Sequence, residues 1–247
     1  MTPDHAPFRQ RAAALFRGRA IDRQVAVVIA VVAVLLFAFV QVADEMREGE
    51  MQAFDERVLL AFRTAGDPAD PVGPHWFEEM VRDFTALGST GVLTIVTLSV
   101  AGWLVVMGKG RTAAFVLVAV VGGVIASSLL KLGFARPRPD LVPHGMMVFT
   151  NSFPSGHAMM SAVVYLTLGD LLARAQRSVA LKVYILSLAV FLTVLVGLSR
   201  IYLGVHWPSD VLAGWAVGAC WALFCWLLMS RLQVAGRMEP ETGANGG

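Results

Sequence analysis

Residues 24–43 read QVAVVIAVVAVLLFAFVQVA, an unbroken run without a charge. An α-helix rises 1.5 Å per residue, so about twenty apolar residues cross the roughly 30 Å hydrocarbon layer of a bilayer. The run is longer than the apolar core of a secretory signal. Asp44-Glu45 follows it, where a cleavage site would need small residues. It is therefore expected to remain as a membrane-spanning helix.

Five further stretches have the same character: about Thr90 to Met107, Thr112 to Phe134, His157 to Ala173, Val183 to Val205 and Val211 to Met229. The composition agrees. Of 247 residues, 56% are hydrophobic and 15% charged, against about 25% charged in soluble domains. The expected fold is all-α: a polytopic membrane helical bundle with six transmembrane helices. The formal net charge of +2 is too small to suggest nucleic acid as a partner. Cys220 and Cys225 lie inside the last apolar stretch. They are five residues apart, so they face different sides of a helix and read as small buried hydrophobes.

Basic residues orient the spans. Arg9, Arg11, Arg17, Arg19 and Arg23 precede the first. Lys109 and Arg111, then Arg174, Arg177 and Lys182, lie in short loops, and Arg231 and Arg237 follow the last. With six spans all of these fall on one side, which the positive-inside rule makes the cytoplasm. The expected domains are a cytoplasmic tail at 1–23, a six-span domain at 24–230, and a cytoplasmic tail at 231–247, disordered in its polar part from Glu239. The opposite face carries an acidic loop, 44–89. Met51, Phe54, Val58 and Phe62 recur in it at helical spacing, as do Trp76, Phe77, Met80, Val81, Phe84 and Leu87. Both sets read as amphipathic helices separated by breaks at Gly66-Asp67-Pro68 and Pro71 to Pro74. They either lie in the membrane interface over the span ends or pack on the bundle as a stabilising hairpin.

Ionisable residues at membrane depth point to function. Here they cluster at the outer ends of the last four spans, in three segments: Lys131-Leu-Gly-Phe-Ala-Arg-Pro-Arg138-Pro139, Pro154-Ser155-Gly156-His157, and Ser199-Arg200-Ile-Tyr-Leu-Gly-Val-His206-Trp-Pro-Ser-Asp210. Ser155 suits a helix N-cap, and Gly156 lets the backbone come close to a ligand. The free N–H groups of such a helix start favour an anion, with His157 beside it. His206 and Asp210 are one turn apart, so the carboxylate can fix the imidazole tautomer and free the other nitrogen as nucleophile or base. Lys131, Arg138 and Arg200 supply the charge that holds a phosphate. Snorkelling at a span end accounts well for Arg136 and for any one cation alone.

Together the segments resemble the signature of the type 2 phosphatidic acid phosphatase family: Lys, six residues, Arg-Pro; Pro-Ser-Gly-His; Ser-Arg, five residues, His, three residues, Asp. Every position matches, and the spacing selects Arg138 over Arg136. The resemblance implies that His206 attacks phosphorus to form a phosphohistidine, that Asp210 orients it, and that His157 protonates the leaving oxygen. It further implies that Lys131, Arg138, Ser155, Gly156 and Arg200 hold the phosphoryl oxygens. No metal and no cofactor is expected. The implied substrate is a lipid phosphate or diphosphate presented at the outer face of the membrane, such as phosphatidic acid, phosphatidylglycerol phosphate, undecaprenyl diphosphate or a lipid A phosphate.

A lipid phosphotransferase would use the same site with another acceptor. An anionic-lipid transporter would use the same cations, but it has no need of a His–Asp pair beside a second histidine. The related haloperoxidases are soluble, and this chain is not. His5, His75 and His144 stand outside the motifs and are given no role.

Overall fold

The computed structural model describes residues 8–143 and 150–239, with side chains from Arg23 onward. Among these residues the chain runs α1 (Phe8–Glu48), α2 (Gln52–Leu60), β1 (Arg63–Thr64), β2 (Asp67–Pro71), α3 (His75–Ala86), α4 (Thr90–Val106), α5 (Gly110–Gly133), α6 (Gly156–Arg174), α7 (Val179–Tyr202) and α8 (Pro208–Val234). The six apolar stretches of the sequence correspond to α1 and α4–α8. Five of these helices are individually long and apolar enough to cross a membrane. The short α4 makes a sixth when joined to α3, from which it is bent by 49°. The fold is an all-helical membrane bundle. His5 and His144 lie outside the described residues, and His75 opens α3.

Helix α6 is the centre of the bundle, packed between α7 and α8; α1 lies on α8, α4 on α5, and α3 on α7. Serines cap three of the span helices: Ser89 Oγ accepts from Val92 N at 3.3 Å, Ser155 Oγ from Ala158 N at 3.5 Å and Ser178 Oγ from Leu181 N at 3.4 Å. Each satisfies one of the N–H groups that a helix start leaves over. Apolar side chains of α1 such as Val27, Val34 and Phe37 point outward, as they must against acyl chains.

Both expected amphipathic helices of 44–89 form, as α2 and α3. Between them is a feature the breaker residues did not reveal: β1 and β2 pair antiparallel around Gly66, whose φ is +87°. The segment packs over one end of the bundle. Leu59 and Val58 join a core with Ile201, Trp207 and Val211, while Val81 meets Tyr202, Leu203 and Val205. Arg63 donates to the Tyr202 carbonyl at 2.9 Å, satisfying an oxygen at the end of α7. At the far end α8 continues into the expected tail, to Val234. Glu239 then reaches the start of α5, accepting from Arg111 N at 2.8 Å, Thr112 N at 3.0 Å and Thr112 Oγ1 at 2.9 Å. Desolvation pushes its carboxyl up, but these hydrogen bonds outweigh it and hold it below the ordinary value. Cys220 and Cys225 are buried, free thiols.

Candidate active site

Two helix starts build the site, and glycines on α8 set their separation. A β-carbon on Gly214 would lie 2.7 Å from the Ser155 carbonyl oxygen, and one on Gly218 would lie 2.5 Å from that of Met159. Facing them on α6 are Ala158 and Ala162. This is the small-residue contact by which membrane helices approach closely. It brings Ser155 N within 2.9 Å of the Asp210 carbonyl oxygen, so the first turns of α6 and α8 are joined directly.

His206 lies two residues before α8 rather than inside it. Trp207 is the N-cap and Pro208 the first helical residue. Asp210 reaches back: its Oδ2 accepts from Trp207 N at 2.9 Å and faces His206 Nδ1 at 3.4 Å. Ser152 Oγ also donates to Oδ2 and stands 3.3 Å from His206 Nδ1. On the other edge of the ring, Arg138 Nη1 is 3.2 Å from Nε2. A guanidinium can only donate. Nε2 must therefore carry the lone pair, and Nδ1 the proton directed at Asp210 and Ser152.

His206 is only 2% exposed. Burial pushes its imidazole down to about 3, reinforced by Arg138 and Arg200 and opposed by Asp210. The ring is thus neutral near pH 7. An unfolded histidine titrates near 6.5, so below that pH the unfolded chain takes up a proton that the folded one refuses. This contribution to stability is complete above the unfolded value and is lost progressively as pH falls toward the folded one. The apparent melting temperature in detergent is expected to drop between pH 7 and pH 5, and to drop less in His206→Asn.

Arg138 stands at the Nε2 edge of the ring, and Lys131 and Arg200 are two further cations near it. Arg138 is fixed by Thr150 O at 2.9 Å and Val205 O at 2.6 Å. Lys131 Nζ donates to Asn151 O at 2.8 Å, and Asn151 Nδ2 returns a bond to Lys131 O at 3.0 Å. Arg200, 1% exposed, donates to Thr85 Oγ1 of α3 at 3.0 Å. Lys131, Arg138 and Arg200 lie within electrostatic reach of one another and of His157, in the first turn of α6. Like charges held together repel, and an anion among them relieves that repulsion. A β-carbon on Gly156 would lie 3.3 Å from Lys131 Cε, so glycine there keeps the α6 N-terminus close to the cations. All eight residues expected at the site thus gather at one end of the bundle. Among the described residues no three His, Cys, Asp or Glu side chains gather as metal ligands.

Arg136 corrects the sequence reading. It does not snorkel. Its Nη1 donates to Asp210 Oδ1 and Ser209 Oγ, both at 2.7 Å, and its Nη2 donates to Asp55 Oδ2 of α2 at 2.7 Å. Its side chain is 9% exposed, and both carboxylates are fully buried. Snorkelling describes a lone cation at a span end, whereas here two buried acids draw the guanidinium inward.

Asp55, Ser152, Ser209 and Thr85 were also missed. The helical period in 51–62 does carry one hint, because Asp55 shares a face with Leu59 and so points inward.

A cavity of about 480 Å³ lies beside Arg138, lined also by Arg47, Gln52, Phe134, Arg136 and Trp207. A second of the same size is apolar and lies between α4, α6 and α7, with Lys109, Arg174 and Glu239 among its lining. It reaches the end of the bundle away from His206.

Residues 112–233 match the family model of the PAP2 superfamily. Phosphatidylglycerophosphatase B of Bacillus subtilis is 29% identical over 187 residues, covering 74% of this chain and 87% of that protein. Lipid A 1-phosphatase of Rhizobium etli is 29% identical over 137 residues, covering 52% and 55%. The crystal structure of a transmembrane PAP2-type phosphatidylglycerolphosphate phosphatase from Bacillus subtilis superposes with a TM-score of 0.73. It is 25% identical and covers 81% of this chain and 96% of that one.

Proposed function

The chain belongs, through residues 112–233, to the PAP2 superfamily, and from that premise we propose that it is a membrane lipid phosphatase working through a phosphohistidine. The observation that carries this reading is the orientation of His206. Its lone pair on Nε2 faces Arg138, and its Nδ1–H faces a buried carboxylate.

A phosphate among Lys131, Arg138, Arg200 and the α6 N-terminus has its negative oxygens matched by positive groups. Ser155 N is committed to Asp210, so Ser155 contributes its hydroxyl, and the following N–H groups, including that of Gly156, contribute theirs. His206 Nε2 attacks phosphorus, forming the N–P bond as the bond to the leaving oxygen breaks. His157 gives that oxygen its proton. Asp210 stabilises the ring as it becomes cationic. Water then attacks phosphorus, His157 takes the water's proton, and inorganic phosphate leaves with His206 restored. Charge stabilisation comes from side chains and backbone, so the cycle runs without a metal.

The distribution of basic residues supports an outward-facing site with both termini in the cytoplasm. There the head group of a lipid phosphate or diphosphate meets the site while its tail stays in the bilayer. The named relatives act on lipids of this class.

The test is phosphate release by detergent-purified protein from phosphatidic acid, phosphatidylglycerol phosphate, undecaprenyl diphosphate and lipid A phosphates, with and without EDTA. At least one lipid is expected to be hydrolysed at a rate that EDTA leaves within about twofold. Release from none of them would contradict the phosphatase reading, and loss on chelation with recovery on adding a metal would contradict the metal-free cycle.

A further inference from the structure

Asp55 stands outside every motif, on a helix between the first two spans, yet it is fully buried against the catalytic pair. Its Oδ1 accepts from Ser209 N at 2.8 Å, and its Oδ2 accepts from Ser209 Oγ at 2.6 Å and from Arg136 Nη2 at 2.7 Å. It therefore holds the first turn of α8 directly and Arg136 as well. Through its other nitrogen Arg136 fixes Asp210 Oδ1, while Trp207 N and Ser152 hold Oδ2. The Asp210 carboxylate has no freedom to rotate, and the oxygen it presents to His206 is Oδ2.

Charge gives Asp55 a second effect. One guanidinium paired only with Asp210 would neutralise it. Shared between two buried carboxylates, it leaves the trio with one net negative charge on the Nδ1 side of the ring. That is the side from which a cationic imidazole is stabilised when Nε2 bonds to phosphorus. Arg138, on the opposite side, and Arg200 resist that same cation. In a low-dielectric site such a charge counts for more than it would in water.

From this geometry we infer that Asp55 is a positioning residue for phosphoryl transfer, acting through Arg136 and Asp210 on His206. The inference rests on the reading of His206 as nucleophile. The segment between the first two spans then completes the catalytic apparatus rather than simply covering it. Arg136, two residues from the phosphate-binding Arg138, belongs to a separate device with a separate purpose.

The test compares wild type, Asp55→Asn and Arg136→Lys in detergent by rapid-quench kinetics with a ³²P-labelled lipid phosphate. Asp55→Asn keeps the shape and a carbonyl for Ser209 N but removes the charge. Arg136→Lys keeps the charge but offers no fork to bridge two carboxylates. Each is expected to lower kcat roughly 10- to 100-fold with KM within about threefold. With enzyme in excess over lipid, the single-turnover rate constant for loss of label from the lipid should fall by a similar factor, while the folded fraction, read by size-exclusion chromatography, stays at the wild-type level. A purely structural role would move the other quantity, lowering the folded fraction and leaving the single-turnover rate constant of the folded protein unchanged. That pattern overturns the inference, as does a wild-type kcat in Asp55→Asn or failure of both variants to fold. His206→Ala, run in parallel, separates the two levels. If it still forms phosphoenzyme, the reading of the site itself fails. If it forms none while Asp55→Asn matches wild type, only the role of Asp55 fails.

Discussion

Replacing His206 with asparagine is expected to lower the rate of lipid phosphate hydrolysis by at least about 10⁴-fold, equivalent to about 5.5 kcal/mol of transition-state stabilisation. Asparagine retains an amide N–H for Asp210 and much of the ring's volume, so the surroundings stay in place. What disappears is the nitrogen lone pair that Arg138 faces at 3.2 Å. No neighbouring group can take its place. His157 sits in the first turn of α6, whereas it is His206 that has the Asp210 carboxylate at its Nδ1. The measurement is steady-state phosphate release, with size-exclusion chromatography to show that the variant remains folded. His157→Ala should behave differently. In the proposed cycle it removes a proton donor rather than the nucleophile, so an aryl phosphate with a good leaving group should be cleaved much closer to the wild-type rate than a lipid phosphate.

The second large effect concerns the scaffold. Gly218→Leu is expected to destabilise the protein severely, because even the first carbon of the new side chain meets the Met159 carbonyl oxygen at 2.5 Å and Ala162 Cβ at 2.7 Å. Overpacking a well-packed core costs about 1–3 kcal/mol. Here the obstacle is the backbone of α6, which cannot swing aside, so the cost lies at or above the top of that range. Relief requires α8 to move away from α6, and that breaks the bond between Ser155 N and the Asp210 carbonyl. Stability and activity should fall together, read as a lowered apparent melting temperature in detergent and a loss of phosphate release. Gly91→Leu is the control, since a β-carbon there meets nothing within 4 Å.

The parts of this protein that follow local rules could be read from its sequence. Twenty-residue apolar runs have one solution in a bilayer, so α1 and α4–α8 fall where the runs lie. Ser155 and Pro208 mark helix starts by their own chemistry, and the eight expected site residues converge at one end. What sequence did not disclose depends on partners far along the chain. Asp55 meets Arg136 across 81 positions and Ser209 across 154; no period or spacing links them. Arg136 and Arg138 lie two apart in a segment without regular structure; the motif spacing singles out Arg138, but nothing local sends Arg136 to two buried carboxylates. The close approach at Gly214 and Gly218 did have a sequence signal, a pair of glycines four residues apart in an apolar helix.

The central claim is that phosphorus passes through His206, and covalent trapping tests it most directly. Wild-type protein mixed with ³²P-labelled lipid phosphate and quenched in alkali within milliseconds should carry label that is stable to base, labile to acid, and located on the peptide containing His206. Label on the His157 peptide, or none at all under conditions of rapid turnover, would contradict the account.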